Sequence, residues 1–109
     1  MRKTYIGELE EVVLLTVAIL QEGAYGVAIT QYIDTQLERK LSISAVHATL
    51  HRLSEKGYVN SSMGGATSER GGRRKRYFKV TTAGSRVLNE IQDARSLLWS
   101  QVPPNILAT

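Results

Sequence analysis

A chain of 109 residues, 42% of them hydrophobic, is one domain's worth of sequence with a small core. It has no cysteine, which excludes disulfides, thiol catalysis and thiolate metal sites and is compatible with a reducing cytoplasm. The net charge of +4 belongs to no membrane segment: the longest strongly apolar run, Val12–Leu20, has nine residues, against the roughly twenty of a membrane span, and no small-residue cleavage site marks a signal peptide.

The first helix is predicted from about Gly7 to Gln21. Leu9, Val12, Val13, Ala18, Ile19 and Leu20 are more than one stripe can hold, so the helix must be covered on several sides. In so short a chain that points to a partner subunit. The glycines of Gln21–Gly26 break the pattern. A second helix is predicted over about Val27 to Lys40, with Ile29, Ile33 and Leu37 repeating at i+4. Tyr25, just before it, can touch a phosphate or pack under the first helix.

A third helix is expected over Ile43–Lys56, with Ser42 as N-cap and Gly57 at the glycine position beyond its end. Ile43, Val46, Leu50 and Leu53 form its inner stripe. The outer face holds small residues, Ser44, Ala45 and Ala48, beside His47, Thr49, His51 and Arg52. A strand over Tyr58–Met63, a glycine-rich tip and a returning strand over Arg73–Thr81 read as a hairpin.

Charge is concentrated there. Residues 1–41 carry four cations against six anions, a net of −2, whereas residues 68–80 carry six cations and one anion, a net of +5. A localised basic feature on a near-neutral body points to a polyanion, nucleic acid ahead of a membrane surface. Thr82 can cap a last helix from Ala83 to about Gln101. Val87, Leu88, Ile91, Ala94 and Leu98 recur along it at near-heptad spacing, and Pro103 and Pro104 stop it.

The fold class expected is mainly α with a small β-hairpin wing. A winged helix-turn-helix occupies residues 1–81, a dimerisation helix 82–102 and a loose tail 103–109. The major groove of DNA admits one helix, and the N-terminal end of a recognition helix points at base edges. Ser44, Ala45 and His47 are therefore placed near bases, and Ser42, Thr49 and Arg52 nearer phosphates. Arg70, Arg73 and Arg74 at the wing tip supply charge to the backbone or minor groove, where the planar guanidinium binds well. Because side chains alternate along a strand, Arg76 and Lys79 cannot both face DNA.

Two other chemistries find little support. His47 and His51 have the i, i+4 spacing of a zinc helix, but Ala48 stands where a general-base glutamate would be and no third ligand is evident. No nucleophile–base pair appears, so an enzyme has no residues to carry it, and no metal or cofactor is expected. The serious rival is a winged-helix module that binds protein rather than DNA; the basic hairpin argues against it.

The segments "GELEEVVLLTVAIL", "AYGVAI", "SISAVHATLHRLSEKGYV" and "ERGGRRKRYFKVTTAG" resemble, in this order and over about Gly7 to Gly84, the PadR family of bacterial transcriptional regulators. The resemblance implies a homodimer joined through the last helix, with Val87, Leu88, Ile91 and Leu98 in its seam. It implies an inverted-repeat operator and, usually, repression relieved by a small molecule. His47 stands where many relatives carry tyrosine. Some short members line a pocket between the two last helices with an aromatic residue. Trp99 is the candidate here, either for that pocket or as filler of the interface.

Overall fold

The computed structural model describes residues 6–64 and 74–107. The element order is α1 (Glu8–Leu20), a 3₁₀ turn (Gln21–Gly23), α2 (Gly26–Leu37), α3 (Ile43–Glu55), β1 (Val59–Met63), β2 (Arg76–Val80), α4 (Thr82–Gln101) and α5 (Pro104–Leu107). Three helices, a hairpin and a long fourth helix are the arrangement expected. The helical turn of α5 falls within the segment read as a loose tail.

The local chemistry explains most boundaries. Acidic Glu8, Glu10 and Glu11 fill the first turn of α1, where the helix dipole favours negative charge. Gly7 has no side chain to cap the helix, but its N–H donates to Oε1 of Glu10 at 2.8 Å, the return half of a capping box. Ser42 Oγ accepts from the N–H of Ala45 and starts α3. Gly57, at φ 80°, carries the chain out of α3 through the left-handed region that glycine enters without penalty.

Two helix ends depart from the sequence reading. The second helix stops at Leu37, three residues short of Lys40, because Glu38 turns left-handed (φ 51°, ψ 41°). Arg39 is then free to reach Glu8 of α1, with Nη1 2.7 Å from Oε2. The last helix begins one residue early, with Thr81 and not Thr82 as its cap. Thr81 Oγ1 accepts from the N–H of Gly84 and donates to the carbonyl of Gly57 at 2.6 Å, so one hydroxyl joins the end of α3 to the start of α4.

The core takes Val13, Leu14 and Val17 from α1, Ile29 and Ile33 from α2, and Val46, Leu50 and Leu53 from α3. Val59, Phe78 and Val87 close it from the hairpin and α4. Ile43, assigned to the inner stripe of α3, is instead 41% exposed on the helix's first turn. The hairpin is antiparallel, pairing Val59 with Val80 and Met63 with Arg76.

Beneath this core, one buried charge lies among the described residues. Glu10 falls on the same face of α1 as Val13 and Val17 and is only 6% exposed. Its carboxylate accepts two bonds from Lys56 Nζ, at 3.0 and 3.1 Å, and lies 3.5 Å from Arg52 Nε. Burial pushes this carboxyl upward, but the Gly7 hydrogen bond and the charges of Lys56 and Arg52 outweigh it. The net result is a carboxyl below the ordinary range.

Candidate nucleic-acid interface

The helix-turn-helix is α2 and α3, joined by residues 38–42. The thirteen residues of α3 extend about 20 Å. Its outer face exposes Ser42, Ser44, His47, Ala48, His51 and Arg52, while Ala45 is half-buried. Thr49 leaves the predicted set. It is fully buried, and its hydroxyl donates to the carbonyl of Ala45 at 2.8 Å and accepts from Arg52 Nη2 at 3.2 Å. In a helix this broad inner face includes Thr49 beside Leu50, so no phosphate can reach it. Arg52 stays half-exposed, with its guanidinium held between Thr49 and Glu10.

The two histidines have separate surroundings. The ring of His47 lies on the backbone of Gly26 at the start of α2: a Cβ there would stand 2.6 Å from Nε2. His51 faces Glu55 one turn on, with Nε2 3.3 Å from Oε2. No cluster of three metal-ligating side chains occurs among the described residues.

Tyr25 is half-buried. It forms a β-bridge with Tyr77 of β2, supported by the Phe78 N–H donating to the carbonyl of Ala24 at 2.8 Å. The two rings meet edge-on with centroids 5.5 Å apart, and Lys75 Nζ stands 4.9 Å from the centre of the Tyr25 ring. Tyr25 is followed by Gly26, on which His47 rests. An unbroken series of contacts therefore runs from the wing cation through Tyr25 and Gly26 to the outer face of α3. Sequence reasoning counted Lys75 only in the hairpin's total charge and placed neither Tyr77 nor Gly26 in the site; only the adjacency of Tyr25 and Gly26 at a helix start hinted at them.

On the hairpin, Arg74 is exposed, with Nε donating to the carbonyl of Gly64 at 3.1 Å, and Arg76 Nη1 donates to Ser61 Oγ. Arg70 and Arg73 lie outside the described residues. The proposed seam divides in two. Val87 is 2% exposed inside the protomer's own core, and Leu88 and Ile91 are half-buried against it. Arg95 Nη2 meets Glu11 Oε1 of α1 at 2.7 Å, after which Leu97, Leu98 and Trp99 stand about 60% exposed. No helix among the described residues is long and apolar enough to cross a membrane.

The fold recurs in solved proteins. The chain is similar to a PadR-like transcriptional regulator from Bacillus cereus, with 20% identity, a TM-score of 0.71 and 93% of each chain covered. It is similar to a PadR-family transcriptional regulator from Eggerthella lenta, with 23% identity, a TM-score of 0.68, and 94% of this chain and 88% of that one covered. Bacillus subtilis PadR, solved in complex with operator DNA, gives 19% identity and a TM-score of 0.63 over 78% of this chain; the chain spans only 46% of that protein. None of the curated proteins matches in sequence. The model of the transcriptional regulator PadR-like family matches residues 14–90. That stretch holds α2, α3, the hairpin and the start of α4, so the winged helix-turn-helix built above is that of a transcription regulator, not an enzyme, and the chain belongs to the PadR-like family.

Proposed function

We propose that this chain acts in the cytoplasm as a homodimeric repressor on an inverted-repeat operator. Each protomer lays α3 in a major groove, and the dimer sets half-sites about one helical turn, ~34 Å, or a multiple apart. Ser44, Ala45 and His47 face base edges. Ser42, Arg52, Arg70, Arg73 and Arg74 serve the phosphates, and Tyr25 acts from beneath the wing. The observation that carries this reading is the contact series Lys75–Tyr25–Gly26–His47, which brings wing charge and the polar face of α3 to one surface. The operator complex of the Bacillus subtilis relative supports it.

Homodimerisation is supported by apolar surface that the protomer leaves uncovered. Leu15 and Ile19 of α1 and Leu37 of α2 border a groove of about 240 Å³, and Leu97, Leu98 and Trp99 project from α4. Relief by a small molecule at the interface would involve Trp99. The test is selection of bound duplexes from a random pool at fixed salt, followed by affinity against salt concentration. Eight phosphates neutralised per dimer give a log–log slope of roughly −7. Enrichment of no sequence, with no salt dependence, would refute DNA binding. Quenching of Trp99 fluorescence by candidate aromatic ligands tests the effector.

A further inference from the structure

Three features of the hairpin base bear on how the wing cation is held. Tyr77 has two close neighbours: its ring and that of Tyr25 meet in a T-shaped pair, and Gly64 lies against it, where a Cβ would overlap Cε2 of the ring. The Gly64 N–H donates to the carbonyl of Lys75 at 2.6 Å, which prolongs the hairpin beyond its last ladder pair. Lys75 itself is exposed, and its ammonium rests over the Tyr25 ring instead of ranging through solvent. A lysine side chain left to itself samples many rotamers, and ordering it on contact costs free energy at that moment. An ammonium over an aromatic face is already partly ordered.

From this geometry we infer that Tyr77 is a positioning residue for DNA binding: packed against Gly64 and the Tyr25 ring, it fixes that ring as a platform that holds Lys75 toward the phosphate backbone beside α3. The inference rests on the DNA-binding reading above and adds two residues to it, one that touches phosphate and one that acts through another ring. Tyr77 needs no contact with DNA. Its hydroxyl is dispensable, because the edge-on packing uses only the ring.

The experiment compares the full-length wild-type protein with Lys75→Gln, Tyr77→Leu, Tyr77→Phe, Gly64→Ala and the double variant Tyr77→Leu/Lys75→Gln. The probes are a duplex selected by the wild-type protein and a random duplex of equal length, each titrated over a range of KCl. Lys75→Gln removes one phosphate contact per protomer, so the slope should shrink by about 1.8 for a dimer, alike on both duplexes. Tyr77→Leu should give the same shrinkage, Tyr77→Phe none, and the double variant no more than Lys75→Gln alone. In the free protein, the Lys75 side-chain methylene protons should resonate upfield from the Tyr25 ring current in wild type and Tyr77→Phe, and return to ordinary positions in Tyr77→Leu. Gly64→Ala displaces the same ring, because the added Cβ would overlap it, and should match Tyr77→Leu; it decides the matter if Tyr77→Leu does not fold. An unchanged slope in Tyr77→Leu or Gly64→Ala, with wild type still binding, would overturn the positioning role alone. Failure of the wild-type protein to bind either duplex would overturn the DNA-binding reading and this role with it.

Discussion

Replacing Glu10 by alanine tests whether the buried carboxylate holds α3 to α1. The Glu10 side chain is only 8% exposed, and removing it deletes three short hydrogen bonds: one from the Gly7 N–H and two from Lys56. A fully buried pair broken on one side costs about 3–5 kcal/mol. Here the stranded partners are not fully buried: Lys56 is 41% and Arg52 50% exposed, so both regain water. The loss is then closer to one charge-assisted bond plus one helix-cap bond, about 2–3 kcal/mol. In a domain of this size each kcal/mol lowers the melting temperature by about 4–8 °C, so a fall of roughly 10–20 °C is expected. Glu10→Gln keeps the shape and the Gly7 bond and should cost about half as much.

The pH dependence gives the sharper check. The folded carboxyl titrates below its ordinary value of 4.5, so the unfolded chain binds the proton first as pH falls. The contribution is therefore full above about pH 4.5 and lost as pH drops through the folded value. Thermal unfolding followed by circular dichroism, at one fixed protomer concentration, should show the gap between wild type and Glu10→Gln closing as the pH is lowered from 7 toward 3. A gap that stays constant over that range, or an alanine variant within about 0.5 kcal/mol of wild type, would refute the electrostatic account of this contact.

The remaining expectations concern other surfaces. Gly26→Ala puts a methyl group 2.6 Å from Nε2 of His47 and displaces that flexible ring, so duplex selection should return an altered base preference while melting shifts by about 1 kcal/mol or less; an identical preference would remove His47 from base reading. Leu98→Glu introduces a carboxylate at a position 63% exposed in the protomer, so sedimentation should give folded monomers, and unchanged dimers would remove the C-terminal part of α4 from the seam. Phe78→Ala empties a core position 6% exposed and should cost about 3–5 kcal/mol by denaturant titration; a loss near zero would mean that the hairpin does not close the core.

Elements with a strong local signal were legible in the sequence. Ser42 and Gly57 bracket α3 by chemistry that acts within a turn, and both residues do what their types suggest. The end of α2 was not legible, because "DTQLERKLS" contains neither glycine nor proline. Glu38 adopts a left-handed conformation only as part of a turn that also delivers Arg39 to Glu8 on another helix. The choice between Thr81 and Thr82 was likewise made at a distance, by the carbonyl of Gly57. Within the candidate site, composition and charge located the outer face of α3 and the basic hairpin. They could not show that Thr49 turns inward, or that Tyr25 pairs with a residue far along the chain. Glu10 was nearer to discovery: an acidic residue in register with Val13 and Val17 on an apolar helix calls for cationic partners.

These contacts divide the molecule's work in a way that can be separated by mutation. The polar face of α3 and the wing share one joint, Tyr25–Gly26: the first residue carries the wing's cation and the second seats His47. Two elements fixed to adjacent backbone positions cannot shift independently, so if both face DNA as proposed, what one half-site looks like is decided inside a single protomer. Leu15, Ile19, Leu37, Leu97, Leu98 and Trp99, the exposed apolar residues assigned above to the dimer interface, are not among the residues that make this joint; on the proposed reading a partner covering them sets the distance between half-sites. Gly26→Ala should then change which sequence is selected while dimers persist. Leu98→Glu should leave the selected half-site recognisable while its inverted partner and most of the affinity disappear. If instead the seam variant altered base preference within a half-site, reading and spacing would be coupled, and the joint at Tyr25–Gly26 could not be the point that fixes recognition.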